Sequence, residues 1–288
     1  MVGVRYFALP LVLTAALWPS GNSAVSPLSS GAENSETTLF SQSALKALDH
    51  SFPGPDISFL LLNTHTGHII ASRWDHLETP IPMGSLLKPF AAAAYGEKHD
   101  FQYPSYICRG SATGCWRPRG HGKLNLTAAI AYSCNSYFRM LTVGMTVSDM
   151  ISTARRFGLE TPPANTAEAE FAGLGSRWRL SPLQTARVYV GLAQQRDDPA
   201  LRQIVEGMAE SARQGTGAEI GRALHGSSAL AKTGTAVCTH SPRAAGDGFA
   251  VVLVPADAPR ILLMVRVHGV PGSHAARVAG QMLQQIEY

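Results

Sequence analysis

Charge is scarce in this chain of 288 residues, where only 15% are Asp, Glu, Lys or Arg. The formal net charge is +4, and nowhere do lysines and arginines form a dense run. No basic stretch interleaves with aromatics and no recognition-helix pattern is present, which excludes nucleic acid as a partner. Beyond residue 24 no apolar run is long enough to span a bilayer. Cysteines number four, and their spacing matches no zinc pattern, so neither a metal nor a cofactor is expected. His65 and His68 fall in a turn with no carboxylate partner in view, as solvated histidines do. There is no internal repeat. What the chain does have is apolar mass: 45% of its residues are hydrophobic, enough for a sizeable core in one large or two small domains.

The exception to the missing apolar runs is the start. Arg5, an apolar run over Tyr6–Trp18 and a small-residue exit to Ala24 read as a secretory signal, residues 1–24. Membrane attachment follows only if this segment stays uncleaved. Residues 25–40 are Ser/Gly/Asn/Glu-rich and read as a linker, leaving 41–288 as the domain. Export to the periplasm or cell envelope permits disulfides. Cys108 and Cys115 lie close together in a Gly/Ser/Pro-rich loop and are expected to pair. Cys134 and Cys238 are left open, as buried thiols or a second pair.

Strand patterns cluster at the two ends. Residues 56–74 read as a hairpin, 229–237 as a strand, and 248–255 with 259–267 as a second hairpin, followed by a helix from Ser273. Between them lie helical patterns, among them one capped by Ser181-Pro182. The expected fold is α+β. A central antiparallel sheet is built from both ends of the chain, with flanking helices and a mostly helical inserted subdomain.

Within that frame, Gly84-Ser85-Leu86-Leu87-Lys88-Pro89-Phe90 precedes four alanines. The alanines favour helix, and Pro89 cannot lie deep inside one. Ser85 therefore sits at or near the helix start, with Lys88 about one turn away. A hydroxyl beside unpaired backbone N–H groups, with an amine in reach, is the equipment of an acyl-transfer nucleophile. An unperturbed lysine has a pKa of about 10.4, so Lys88 must be desolvated or set beside another cation to act as a base. Alone, Ser85 and Lys88 read equally as an N-cap and a solvated lysine. Ser133-Cys134-Asn135 alone reads as a turn, and His121, between two glycines, as a loop shaper.

Taken together, Ser85-x-x-Lys88, Ser133-x-Asn135 and Lys232-Thr233-Gly234 resemble, in order and spacing, the signature of penicillin-binding proteins and serine β-lactamases. The flanking residues, with Ser181-Pro182-Leu183-Gln184-Thr185-Ala186 and Gly215-Thr216-Gly217, are similar to the transpeptidase domain of high-molecular-weight penicillin-binding proteins. The resemblance covers roughly residues 50–288. It implies an exported serine D,D-peptidase or transpeptidase acting on the D-Ala-D-Ala ends of peptidoglycan stem peptides through an acyl-enzyme at Ser85, and trapped by β-lactams. It further implies that Lys88 is the base, that Ser133 relays a proton to the departing amine, and that Asn135 orients Lys88 and the acyl donor. Lys232, Thr233 and Thr235 would bind the donor's carboxylate, and Gly234 would let the donor lie along the strand. Backbone N–H groups of Ser85 and Thr235 would form the oxyanion hole.

Two other readings stand beside this one. A non-enzymatic scaffold would recruit a cell-wall protein partner. A β-lactamase would need a water-activating residue, and Glu168 and Glu170 fall in the right interval, without the asparagine expected nearby. The short stretch before the domain leaves no room for the N-terminal domains usual in the high-molecular-weight proteins, so either it acts alone or a partner targets it.

Overall fold

The computed structural model describes residues 30–238 and 244–286, with side chains from residue 39. The signal segment lies outside the described residues, and no described helix is long and apolar enough to cross a membrane. Helix α1 (Ser30–Ser51) precedes β1 (Ile57–Asn63), β2 (Ile69–Arg73) and β3 (Ile81–Pro82). A 3-10 turn, Gly84–Leu87, leads into α2 (Lys88–Lys98). The middle carries β4 (Tyr106–Cys108), β5 (Gly122–Leu124), α3 (Leu126–Ala131), α4 (Asn135–Leu141), α5 (Val147–Phe157) and α6 (Glu168–Phe171). Next come β6 (Arg179–Leu180), α7 (Pro182–Gln194), α8 (Arg202–Gln214) and α9 (Ala218–Ala223). Strands β7 (Leu230–Ala236), β8 (Asp247–Val254) and β9 (Ile261–Val267) and helix α10 (Gly272–Gln285) follow.

The main sheet is antiparallel, in the order β2-β1-β9-β8-β7, so strands from both ends of the chain do build it. It is buried on both faces. Leu60, Phe249, Val251, Leu253 and Met264 face the helical layer of α2, α3, α5 and α7. Phe59, Ala250, Val252, Leu263 and Val265 pack with α1, α9 and α10. That is why β8 and β9 read as continuous apolar runs and not as alternating patterns. Strand β7 ends the sheet, and among the described residues no further strand pairs with its outer edge.

Helix α1 begins at Ser30, so residues 30–40, read as linker, are helical. Its polar start lacks the apolar periodicity that marks a helix in sequence. Its later part docks on the sheet layer through Ala44 and Leu48. Pro89 occupies the first turn of α2, where its missing N–H costs nothing. Ala91–Ala94 are fully buried, because α2 runs through the centre of the helical layer and only small side chains let neighbours approach on every side. Phe90 anchors it edge-on against Phe157 at 5.5 Å and Tyr189 at 5.2 Å.

Candidate active site

A pocket of about 310 Å³ opens where the Ser85 turn, the α3–α4 junction and β7 meet. Its walls are Ser85, Trp116, Ser133, Asn135, Thr216, Thr233, Gly234, Thr235, Pro271, Gly272 and Ser273. The fold therefore gathers all three sequence motifs into one cleft. Ser85 and Asn135 are half-buried beside it, and Thr235 is exposed on β7. The hydroxyl of Ser85 has no hydrogen bond among the described residues and is open to a substrate.

Both lysines are fully buried. Lys88 Nζ donates to Asn135 Oδ1 at 2.7 Å, to the Ser133 carbonyl at 2.8 Å and to Ser133 Oγ at 3.4 Å. Lys232 Nζ donates to the same Ser133 Oγ at 2.9 Å and to the Thr233 carbonyl at 2.6 Å. One hydroxyl thus bridges two amines. Burial lowers the Lys88 pKa from 10.5 to about 7; the sulfurs of Cys134 and Cys115 oppose the shift and Arg139 reinforces it. Burial, then the charge of Lys88, holds Lys232 well below its ordinary value. Two ammonium groups sharing one dry site cannot both stay charged, so a neutral amine is available near neutral pH.

Ser133 owes its position to how α3 ends. Its N–H bonds the carbonyl of Ile130, and the N–H of Cys134 reaches back to Ala129. This double closure is the Schellman cap, whose pivot adopts left-handed φ and is usually glycine. Here the pivot is Ser133, at φ 49°. The strain, of order 1–2 kcal/mol, lets its carbonyl and hydroxyl both face Lys88. Asn135 then opens α4. The turn reading of Ser133-x-Asn135 and the chemical reading describe the same geometry.

Gly84 and Gly234 answer to packing. A Cβ on Gly84, at φ 53°, would lie 2.2 Å from the Thr235 carbonyl oxygen. One on Gly234 would lie 2.9 Å from the Met83 carbonyl oxygen and 3.0 Å from Leu86 Cγ. Both glycines are needed for the Ser85 turn to lie directly against β7. Thr233 Oγ1 donates to Thr216 Oγ1 at 2.6 Å, and Thr235 Oγ1 accepts from the Gly272 N–H at 3.0 Å. Trp116 and Thr216 are site residues that sequence reasoning passed over. Thr216 was visible only as part of Gly215-Thr216-Gly217.

The carboxylates considered for water activation are occupied. Glu170 accepts backbone N–H bonds from Ser176, Arg177 and Trp178 at 3.0–3.2 Å, and Glu168 accepts one from Gly144 at 2.7 Å. Glu170 thus folds its own loop, whose Gly173 packs on the Ser85 turn. Glu170→Ala is expected to lose about 1–3 kcal/mol of stability, since the buried N–H of Trp178 and the part-buried N–H groups of Ser176 and Arg177 lose their acceptor. It should leave the decay of a penicilloyl adduct unchanged; thermal unfolding and time-resolved mass spectrometry check the two halves.

The expected Cys108–Cys115 disulfide is not formed: both residues, like Cys134, are free thiols. Closeness along the chain suggests a ring of two, but the fold brings a third sulfur within 4.8 Å of both. Cys134 Sγ lies 3.8 Å from Cys115 Sγ, too far for a bond and in close contact. His121 Nδ1 stands 3.5 Å from both Cys108 and Cys115 Sγ, so the expected loop shaper faces the sulfurs. Burial pushes the Cys108 thiol up, yet hydrogen bonds from Gly110, His121 and Ser136 more than offset it and bring it to about 5. Burial raises Cys134 to about 12. Cys238 lies elsewhere, beside Asp247 and His268.

An antiparallel sheet with helices on both faces, holding a Ser-x-x-Lys turn, a Ser-x-Asn cap and a Lys-Thr-Gly edge strand around one cleft, defines a fold of the penicillin-binding-protein type. The chain belongs to the penicillin binding protein transpeptidase domain family, whose description matches residues 57–286. Pseudomonas aeruginosa PBP2, solved with WCK 5153, aligns with a TM-score of 0.71 at 16% identity, over 85% of this chain and 73% of that one. The transpeptidase domain of Burkholderia pseudomallei penicillin-binding protein 3 aligns at 0.67 and 20% identity, over 88% and 92%. Helicobacter pylori PBP2, solved in complex with MreC, aligns at 0.69 and 17% identity, over 82% and 61%. No curated protein matches the chain.

Proposed function

We propose that the protein is an exported serine D,D-acyltransferase that forms an acyl-enzyme at Ser85 with the D-Ala-D-Ala end of a peptidoglycan stem peptide. The observation that carries this reading is the Ser133 hydroxyl held between Lys88 and Lys232. Ser85 Oγ attacks the penultimate carbonyl carbon while neutral Lys88 takes the hydroxyl proton. The carbonyl oxygen becomes an oxyanion facing the backbone N–H groups of Ser85 and Thr235, each worth roughly 2.7–4 kcal/mol in comparable enzymes. As the C–N bond breaks, the proton passes through Ser133 to the departing D-alanine amine. An acceptor amine then attacks the ester by the same route in reverse.

Substrate alignment follows from the free edge of β7. An extended peptide can add to that edge as a further strand, its backbone bonded along Lys232–Thr235. Its terminal carboxylate meets the hydroxyls of Thr233, Thr235 and Thr216 and the charge of the lysine pair. A β-lactam enters the same place and acylates Ser85. Export rests on the N-terminal segment and on family membership. A cell-wall protein partner is supported by the MreC complex of the Helicobacter pylori relative.

Incubation of the intact protein with penicillin, followed by intact-mass measurement and peptide mapping, tests the proposal. One adduct per chain, on Ser85 and persisting after free penicillin is removed, is the expected result. Folded protein that takes up no adduct overturns it, as does steady nitrocefin turnover in place of a single burst.

A further inference from the structure

We propose that Cys108, Cys115, His121 and Cys134 form a structural zinc site that locks the Ser133–Asn135 segment in place. The four donor atoms lie within 4.8 Å of one another, and the three sulfurs are buried. Zinc binds thiolate sulfur at about 2.3 Å and imidazole nitrogen at about 2.0–2.1 Å in a tetrahedron, whose edges are then about 3.8 Å between sulfurs and about 3.5 Å between sulfur and nitrogen. The edges here are 3.8 Å from Cys115 to Cys134 and 3.5 Å from His121 Nδ1 to each of Cys108 and Cys115. Disulfide chemistry would require a sulfur separation near 2.05 Å and leave one thiol over.

The surroundings are built to hold the four donors. They come from three separate pieces of chain: the end of β4, the loop that returns to β5, and the cap of α4. The loop closes tightly because Gly110 and Gly120 abut it backbone to backbone. A Cβ on Gly110 would lie 1.9 Å from the Pro118 carbonyl oxygen, and one on Gly120 would lie 2.2 Å from that of Cys108. His121 Nε2 is buried with no hydrogen-bond partner among the described residues, and Nδ1 is the nitrogen that meets the sulfurs. The Ser136 hydroxyl approaches Cys108 Sγ at 3.6 Å, an outer contact of the sort that orients metal ligands. Three sulfurs and one imidazole suit zinc, and four protein ligands leave no open position, which marks a structural site. Three thiolates and a neutral imidazole around Zn²⁺ leave a complex of net charge −1.

The consequence for the cleft is positional. Cys134 is the residue between Ser133 and Asn135. Trp116 follows Cys115 and donates its indole N–H to the Ser133 carbonyl at 3.2 Å, the same carbonyl that accepts from Lys88. Zinc thereby ties the loop between β4 and β5 and the strained Ser133 cap to one fixed point.

Metal analysis of the untreated wild-type protein tests this whether or not Ser85 acylates. The expected result is about one zinc per chain, with X-ray absorption showing three sulfurs near 2.3 Å and one nitrogen near 2.0 Å. Cys115→Ser and His121→Ala should each drop zinc content at least several-fold, whereas Cys238→Ser should retain it. Stripping zinc from the wild type should lower its melting temperature and slow penicillin acylation. Folded wild-type protein without stoichiometric zinc overturns the proposal, as does a disulfide among Cys108, Cys115 and Cys134. Loss of zinc from Cys238→Ser overturns the ligand assignment.

Discussion

Replacing Lys88 with methionine is expected to slow β-lactam acylation of Ser85 by about 10²–10⁴-fold, the usual worth of a positioned base. Methionine fills the same buried volume without an amine, so Asn135 and Ser133 lose a donor and Ser85 loses the proton acceptor proposed for it. The pH dependence distinguishes loss of the base from general damage. A base must be neutral to act, and the Lys88 pKa lies at about 7. Wild-type acylation should therefore fall about tenfold per pH unit below pH 7 and level off above it, whereas the residual rate of Lys88→Met should lack that inflection. Stopped-flow acylation across pH 5.5–9 measures both.

Stability carries a second signature of the same residue. The folded pKa of Lys88, about 7, is below its unfolded value of 10.5, so the folded state binds fewer protons between those limits. Stability should then rise with pH across that window, by up to about 1.4 kcal/mol per unit, and the full cost of burying the amine is present below pH 7. Lys88→Met should flatten this slope in denaturant titrations between pH 7 and 10. An unchanged slope would place the buried titration elsewhere.

The second large effect is expected from Gly84→Ala, which touches no reacting atom. The added methyl would sit 2.2 Å from the Thr235 carbonyl oxygen, at a backbone φ of 53°. The left-handed strain alone costs about 1–2 kcal/mol, and the clash is with backbone that cannot rotate away. The Ser85 turn must move off β7, which separates the two N–H groups assigned to the oxyanion. Loss of one such donor costs about 10²–10³-fold, so acylation should fall by at least that much, with stability down by more than 2 kcal/mol. Gly158→Ala is the control. Its φ is 71° but a Cβ there meets nothing within 4 Å, so it should cost about 1 kcal/mol and leave acylation intact. Equal acylation by both variants would remove the role given to the contact between the Ser85 turn and β7.

Several features were legible because they are local. The two hairpins announced themselves by apolar runs around short turns, and the observed β1–β2 and β8–β9 pairs follow them. Pro89 located the start of α2, and Ser181-Pro182 the start of α7, where Ser181 Oγ accepts from the Gln184 N–H. The cysteines were misread for the opposite reason. Cys108 and Cys115 are close along the chain, but Cys134, whose sulfur contacts Cys115, arrives by the turn between α3 and α4. Residues 30–40 lacked apolar periodicity, yet the helix through Leu48 extends back over them.

By itself the order of residues determined the two hairpins and the starts of α2 and α7, and which serine, asparagine, lysines and threonines were worth watching. Those are properties of neighbours within a turn or two. Tertiary packing alone decided that one serine hydroxyl would join two buried amines, that Glu170 would fold a loop, and that three sulfurs and an imidazole would face a common centre. Each depends on groups brought together from distant positions and on water being excluded between them, and dehydration is what shifts a lysine by units of pKa.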